Sequence, residues 1–175
     1  MGHCVLVFPV RELEGYVRSR WQHYDPTWVS GDPDFTHAHI TALGPFLPEP
    51  TTADLDRVEA IAGAVHPFEI TLGEIATFPD GIIYLVPEPA EPLVALTAAL
   101  SAAFPQCPPY RGQFADVVAH LTLDHASHIA EAAVRGDLAD QLPVRTRIEV
   151  LELHWYAEGE CRVLAQWPLG INART

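Results

Sequence analysis

The chain predicts an α+β fold with largely antiparallel strands, on three observations. Short runs of strand type alternate with amphipathic runs of helical period, in the order β-α-β-α-β-β-α-β-α-β-β. Two strand pairs flank tight-turn signals, Pro79-Asp80-Gly81 and Glu158-Gly159, which mark hairpins. A short sequence, His-aliphatic-Thr, occurs once in each half. Hairpins mixed with helices are incompatible with a doubly wound parallel sheet. The 175 residues suit a single domain, 1–175, built as two lobes, and no low-complexity linker divides them.

Residues 4–8 are an apolar run closed by Pro9 and read as a buried strand. Leu13, Tyr16, Val17 and Trp21 then recur at helical spacing over 11–21. Residues 24–35 form a loop, 37–43 an alternating strand and 44–50 a Pro-rich turn. Thr51 or Thr52 caps the next helix, whose stripe is Leu55, Val58, Ala62 and Val65. Residues 68–78 and 81–86 make the first hairpin. Pro92 sits in a helical first turn, where its missing N–H costs nothing, followed by Leu93, Leu96, Leu100 and Phe104. After a Pro-rich loop over 105–112, residues 117–123 read as a strand, and Ser127 caps a weak helix over 128–138. Residues 145–156 and 162–167 form the second hairpin.

Composition excludes several classes. The formal net charge is −13, which disfavours long nucleic acids, because they are bound by neutralising phosphates. A small phosphorylated ligand needs only one or two of the ten arginines. There is no lysine, so neither a P-loop nor a lysyl intermediate is available. Three isolated cysteines fit a reducing compartment and do not form a zinc-cysteine site. The longest apolar runs are far too short to cross a bilayer, and the first residues lack a signal-peptide pattern. A cytoplasmic protein is expected.

The repeated motif carries the chemistry. His39-Ile40-Thr41 and His120-Leu121-Thr122 lie 81 residues apart, each on a predicted strand. Strand residues two apart share a face, so each His stands beside its Thr while the aliphatic residue turns to the core. If the halves pack as related lobes, two imidazoles and two hydroxyls surround one small volume. Such a set suits phosphodiester cleavage without metal or cofactor. One neutral imidazole takes a proton from the attacking hydroxyl or water, and the other, protonated, gives one to the leaving oxygen. An ordinary imidazole pKa near ~6.5 places both roles near neutral pH. The Thr hydroxyls hold the non-bridging oxygens.

The pair of motifs resembles the signature of the 2H phosphoesterase superfamily, which includes the so-called 2′-5′ RNA ligases and cyclic phosphodiesterases. Pro45-Phe46 after the first motif and Trp167-Pro168-Leu169-Gly170 near the end are also similar. The resemblance implies a bilobal, pseudo-symmetric fold, with two antiparallel sheets facing a central cleft and helices outside. It implies catalytic roles for His39 and His120 and phosphate binding by Thr41 and Thr122. The substrate class it implies is a cyclic phosphate or 2′-5′ phosphodiester of a nucleotide or small RNA end. Many relatives have Pro before each motif His, where this chain has Ala38 and Ala119, which marks a divergent branch.

His37, two residues before His39, is a further candidate to contact substrate or tune His39. Tyr110 and Arg111, in the loop entering the second motif, are candidates to stack on a base and clamp a phosphate. Asp124 is expected at the surface. Two other functions fit the same residues. One is a non-catalytic phosphate- or nucleotide-binding module. The other is a metalloenzyme with His37, His39, His120 and Asp124 as ligands.

Overall fold

A computed structural model describes residues 2–112 and 117–171. The strands are β1 (His3–Pro9), β2 (His39–Phe46), β3 (Phe68–Thr77), β4 (Ile82–Glu88), β5 (Leu121–His125), β6 (Val144–Ile148), β7 (Val150–Tyr156) and β8 (Arg162–Pro168). The α-helices are α1 (Glu14–Tyr24), α2 (Thr52–Gly63), α3 (Glu91–Ala103) and α4 (Glu131–Asp137). Every strand pair among the described residues is antiparallel, so the α+β class stands, and the element order matches the prediction apart from one added strand.

The expected two sheets are the two halves of one. The strand order is β6-β3-β4-β5-β2-β1-β7-β8, and β5 meets β2 at a single register pair, Ile40 with Leu121. Residues 145–156, predicted as one strand, are two strands broken at Glu149. β6 is one edge of the sheet, while β7 lies next to the opposite edge. In a flat sheet six strand spacings would separate them by roughly 29 Å. The two Cα steps from Ile148 to Val150 reach only about 7 Å. The sheet must therefore curl until its ends approach. Across that closure the Leu169 N–H donates to the Glu149 carbonyl at 2.8 Å.

Local chemistry explains the other boundaries. The Thr51 and Asp54 side chains form a reciprocal capping box that starts α2. Gly81 turns the β3–β4 hairpin with φ +102°, where a side chain would also strike the His125 ring. Ser127 does not cap a helix. It bonds the His125 ring instead, and α4 begins at Glu131. β5 starts only at Leu121, so His120 lies just ahead of the strand.

The core is continuous from one half to the other. Leu6, Phe8, Ile40, Leu72, Leu85, Leu121 and Leu153 line the sheet, and Val58 and Ala62 of α2 and Leu93, Leu96 and Leu100 of α3 close over it. α1 differs from these helices: Val17, Arg20, Trp21 and Tyr24 line a cleft. Among the described residues no helix is long and apolar enough to cross a membrane.

Candidate active site

The two motifs meet at their middle residues. Ile40 and Leu121 are register partners, and both are fully buried. Residues opposite each other in an antiparallel pair change face together. This one pair therefore sets His39 across from Thr122 and Thr41 across from His120, all on the face away from the core. Diagonal side chains in such a ladder lie roughly 7–8 Å apart, and farther where strands diverge. His39, Thr41 and Thr122 line one cavity, and the His120 ring lies beside Tyr110, which lines the adjoining one.

Both imidazoles are held alike. His39 Nδ1 lies 2.8 Å from the His37 carbonyl, and His120 Nδ1 lies 2.8 Å from the Val118 carbonyl. A carbonyl only accepts, so each Nδ1 carries the hydrogen and each neutral Nε2 keeps its lone pair. Among the described residues neither Nε2 has a hydrogen-bond partner.

Their surroundings differ. His120 stands against aromatic rings: Phe78 and Tyr84 edge-on at 5.0 and 5.5 Å, and Tyr110 stacked at 6.2 Å. His39 adjoins the rings of His154 at 6.1 Å and Tyr156 at 6.2 Å. Burial lowers the His39 pKa to about 3, and the neighbouring His154, His37 and His120 add to the effect, against the bond to the His37 carbonyl. Burial also lowers His120, while its carbonyl bond and Asp80 oppose the shift. The neutral-pH titration suggested by sequence is thus displaced to the acid side for the free protein.

A cavity of about 550 Å³ is lined by His39, Thr41, Thr122 and Tyr156 from the sheet and by the α1 residues opposite. A second, of about 430 Å³, shares Thr41 with the first and is lined by Tyr110, Arg111 and Pro45. The Tyr110 hydroxyl bonds Thr41. Tyr110 and Arg111 hold φ of 50° and 58°, left-handed conformations that bulky residues rarely adopt and that cost about 1–3 kcal/mol each. The structure therefore brings His39, Thr41, His120, Thr122, Tyr110 and Arg111 to one region.

His37, a candidate to contact substrate or to tune His39, bonds His39 through its carbonyl and lines the first cavity. It precedes β2, is buried, and uses both ring nitrogens within the protein. Nε2 accepts from the Ser30 N–H at 3.1 Å, so Nδ1 carries the hydrogen and donates to Glu14 at 2.6 Å. The other Glu14 oxygen accepts the Ala38 N–H at 2.9 Å. Glu14 thereby ties α1 to the chain entering β2. Burial is the largest single influence on its pKa and raises it, but the bonds to His37 and Ala38 together outweigh burial and leave the pKa lowered.

Asp124, expected at the surface, is 8% exposed and pairs with Arg20 Nε at 2.5 Å. Arg20 also bonds the Tyr24 hydroxyl, and the Tyr24 ring stacks on His128 at 4.2 Å. Arg20 is the cleft cation that the sequence reading missed. Its only sequence signal is the helical spacing that puts it on the face of Val17, Trp21 and Tyr24. Arg145 and Arg147 sit exposed on β6, with Arg147 beside Glu149 at 3.6 Å. The metal set of His37, His39, His120 and Asp124 is not assembled: His37 and Asp124 are engaged as above. Among the described residues no three His, Cys, Asp or Glu side chains are placed to hold a metal ion.

Comparisons with known proteins agree with this architecture. Escherichia coli LigT, in the crystal structure of its complex with 3′-AMP, superposes with a TM-score of 0.59 at 17% identity, covering 95% of this chain and 97% of that one. The Thermus thermophilus protein TT0787 superposes with a TM-score of 0.58 at 18% identity, covering 96% and 98%. At such identity the likeness is one of fold. Putrescine hydroxycinnamoyltransferase 3 of Oryza sativa subsp. japonica is 35% identical over 83 residues, but that stretch is 45% of this chain and 19% of the enzyme. The chain thus spans about a fifth of that protein. The model of the 2′-5′ RNA ligase superfamily matches residues 9–160, which include both motifs and every strand from β2 to β7. The chain belongs to the 2′-5′ RNA ligase superfamily, the 2H phosphoesterases.

Proposed function

We propose that this protein is a metal-independent phosphodiesterase that opens a cyclic phosphate or 2′-5′ phosphodiester of a nucleotide or small RNA end. The observation that supports the reading is the buried Ile40–Leu121 pair, which turns both His and both Thr to the face away from the core. His39 is the general base: its low pKa keeps Nε2 unprotonated, ready to take the proton of the attacking water or hydroxyl. His120 is the general acid, giving its Nε2 proton to the leaving oxygen. An anionic phosphate between the rings stabilises imidazolium and raises both pKa values in the complex.

Thr41 and Thr122 donate to the non-bridging oxygens. Thr41 also bonds the Tyr110 hydroxyl, and a Thr hydroxyl that accepts that bond keeps its own hydrogen for the phosphate. Arg111 and Arg20 supply the nearby positive charge. The nucleotide complex of LigT supports a small nucleotide ligand for this cleft. His37 acts through His39, by holding the chain that leads into β2.

The test is turnover of a panel of 2′,3′-cyclic nucleotides and 2′-5′-linked dinucleotides by chelator-treated protein. Hydrolysis by wild type, lost in the His39→Ala/His120→Ala variant, is expected. Hydrolysis that persists in that variant, or that needs added metal, contradicts the mechanism.

A further inference from the structure

Three alternate residues of β7 form a polar row behind His39. Glu152, His154 and Tyr156 share a face, opposite the core residues Leu151 and Leu153. Glu152 and His154 are both 0% exposed. A buried ionisable pair adds little net stability over apolar residues of similar volume, so packing alone does not call for it at the centre of a sheet.

The row has a direction. The Glu152 carboxylate accepts from His154 Nε2 at 2.7 Å, and it is held from its other side by Gln166 at 3.0 Å and Arg11 at 3.2 Å. With Nε2–H so used, the other ring nitrogen of His154, Nδ1, faces the Tyr156 hydroxyl at 3.5 Å. The Tyr156 oxygen in turn lies 3.5 Å from His39 Nδ1–H, as a second acceptor beside the His37 carbonyl. The Phe35 ring covers His154 at 4.3 Å and Tyr156 at 5.4 Å, so the row is shielded. Fully buried, Glu152 and His154 cannot touch a substrate in the cleft.

We propose that Glu152 and His154 are positioning residues that act through Tyr156 on His39. They fix its ring with Nε2 toward the cleft, and they stabilise the imidazolium formed when Nε2 takes the proton of the nucleophile. No proton travels along the row. Nδ1 of His39 keeps its hydrogen throughout, and its polarised N–H is met by the Tyr156 oxygen. The titratable groups around the His39 ring are His37, His120, His154 and Tyr156, with Glu14 and Glu152 behind them. The inference rests on His39 being the base proposed above.

Tyr156→Phe removes one hydroxyl and Glu152→Gln keeps the side-chain shape, so both variants suit kinetic tests. Each is expected to lower kcat about 10-fold with KM nearly unchanged. Each is expected to add no further loss in a His39→Ala background, since a coupled pair is non-additive. The His39 Cε1–H resonance, titrated by NMR, should move to a lower midpoint in Tyr156→Phe. Unchanged kcat in both variants, or the same fold loss with His39 already removed, overturns the inference while leaving the phosphodiesterase reading intact. If wild type turns over nothing in the panel, that reading fails and the NMR titration alone decides: an unmoved midpoint overturns the row.

Discussion

At the scale of the residue, the decisive chemistry is two imidazoles with identical backbone bonds and different neighbours. His39→Ala and His120→Ala should each lower kcat by at least ~10²-fold, since each removes a proton carrier. Thr41→Val and Thr122→Val should act on binding, raising KM roughly 10-fold for one lost charge-assisted hydrogen bond. The pH dependence follows from the lowered pKa values. The base must be neutral, which holds above about 3 for His39, and the acid must be protonated, which holds only below the lowered pKa of His120. The kcat/KM profile of the free enzyme should therefore fall on its alkaline side below the ordinary histidine value of ~6.5. An alkaline limb above pH ~7 would contradict that assignment. Stability follows the same sign. The folded protein binds the His39 proton less readily than the unfolded chain does. His39 therefore contributes stability that is present above pH ~6.5 and lost as pH falls toward about 3. Thermal melts over that window should show a smaller acid loss in His39→Gln than in wild type. The motif residues were legible because duplication is visible in sequence. Arg20, Glu14 and Glu152 were not, because each has a partner far away along the chain and only the folded chain brings them together.

At the scale of the element, α1 is a wall of the site. Glu14 holds His37 and the Ala38 N–H, and Arg20 reaches Asp124 on β5. Glu14→Ala leaves a buried donor on each of two residues unpaired, so a loss of about 2–4 kcal/mol is expected, with lower kcat because His39 follows directly. Thr51→Ala breaks the capping box of α2, far from the cleft; it should cost about 1 kcal/mol and leave turnover unchanged. Urea unfolding and steady-state kinetics on the two variants separate these outcomes. Helices and hairpins were readable from period and turn residues. The break at Glu149 was not, because residues on both sides alternate alike and only the change of strand partner separates β6 from β7.

At the scale of the whole molecule, one register pair joins two four-stranded halves, and the curl of the sheet brings its ends together. Leu121→Ala empties a fully buried site at that junction. A loss of about 2–5 kcal/mol is expected, or roughly 5–15 °C in Tm, with both halves melting in one transition. Two separate transitions would mean the halves are independent. The sequence showed that each half carries one motif; it could not show that the motifs pair through Ile40 and Leu121, since either residue is an ordinary strand aliphatic. That pairing is why the central claim concerns a pair. The direct test is kcat on a 2′,3′-cyclic nucleotide for wild type, His39→Ala, His120→Ala and the double variant. Residues acting as one unit should give a double variant within about 3-fold of the worse single one. Losses that multiply, or a single variant that keeps wild-type turnover, would contradict a shared acid–base pair.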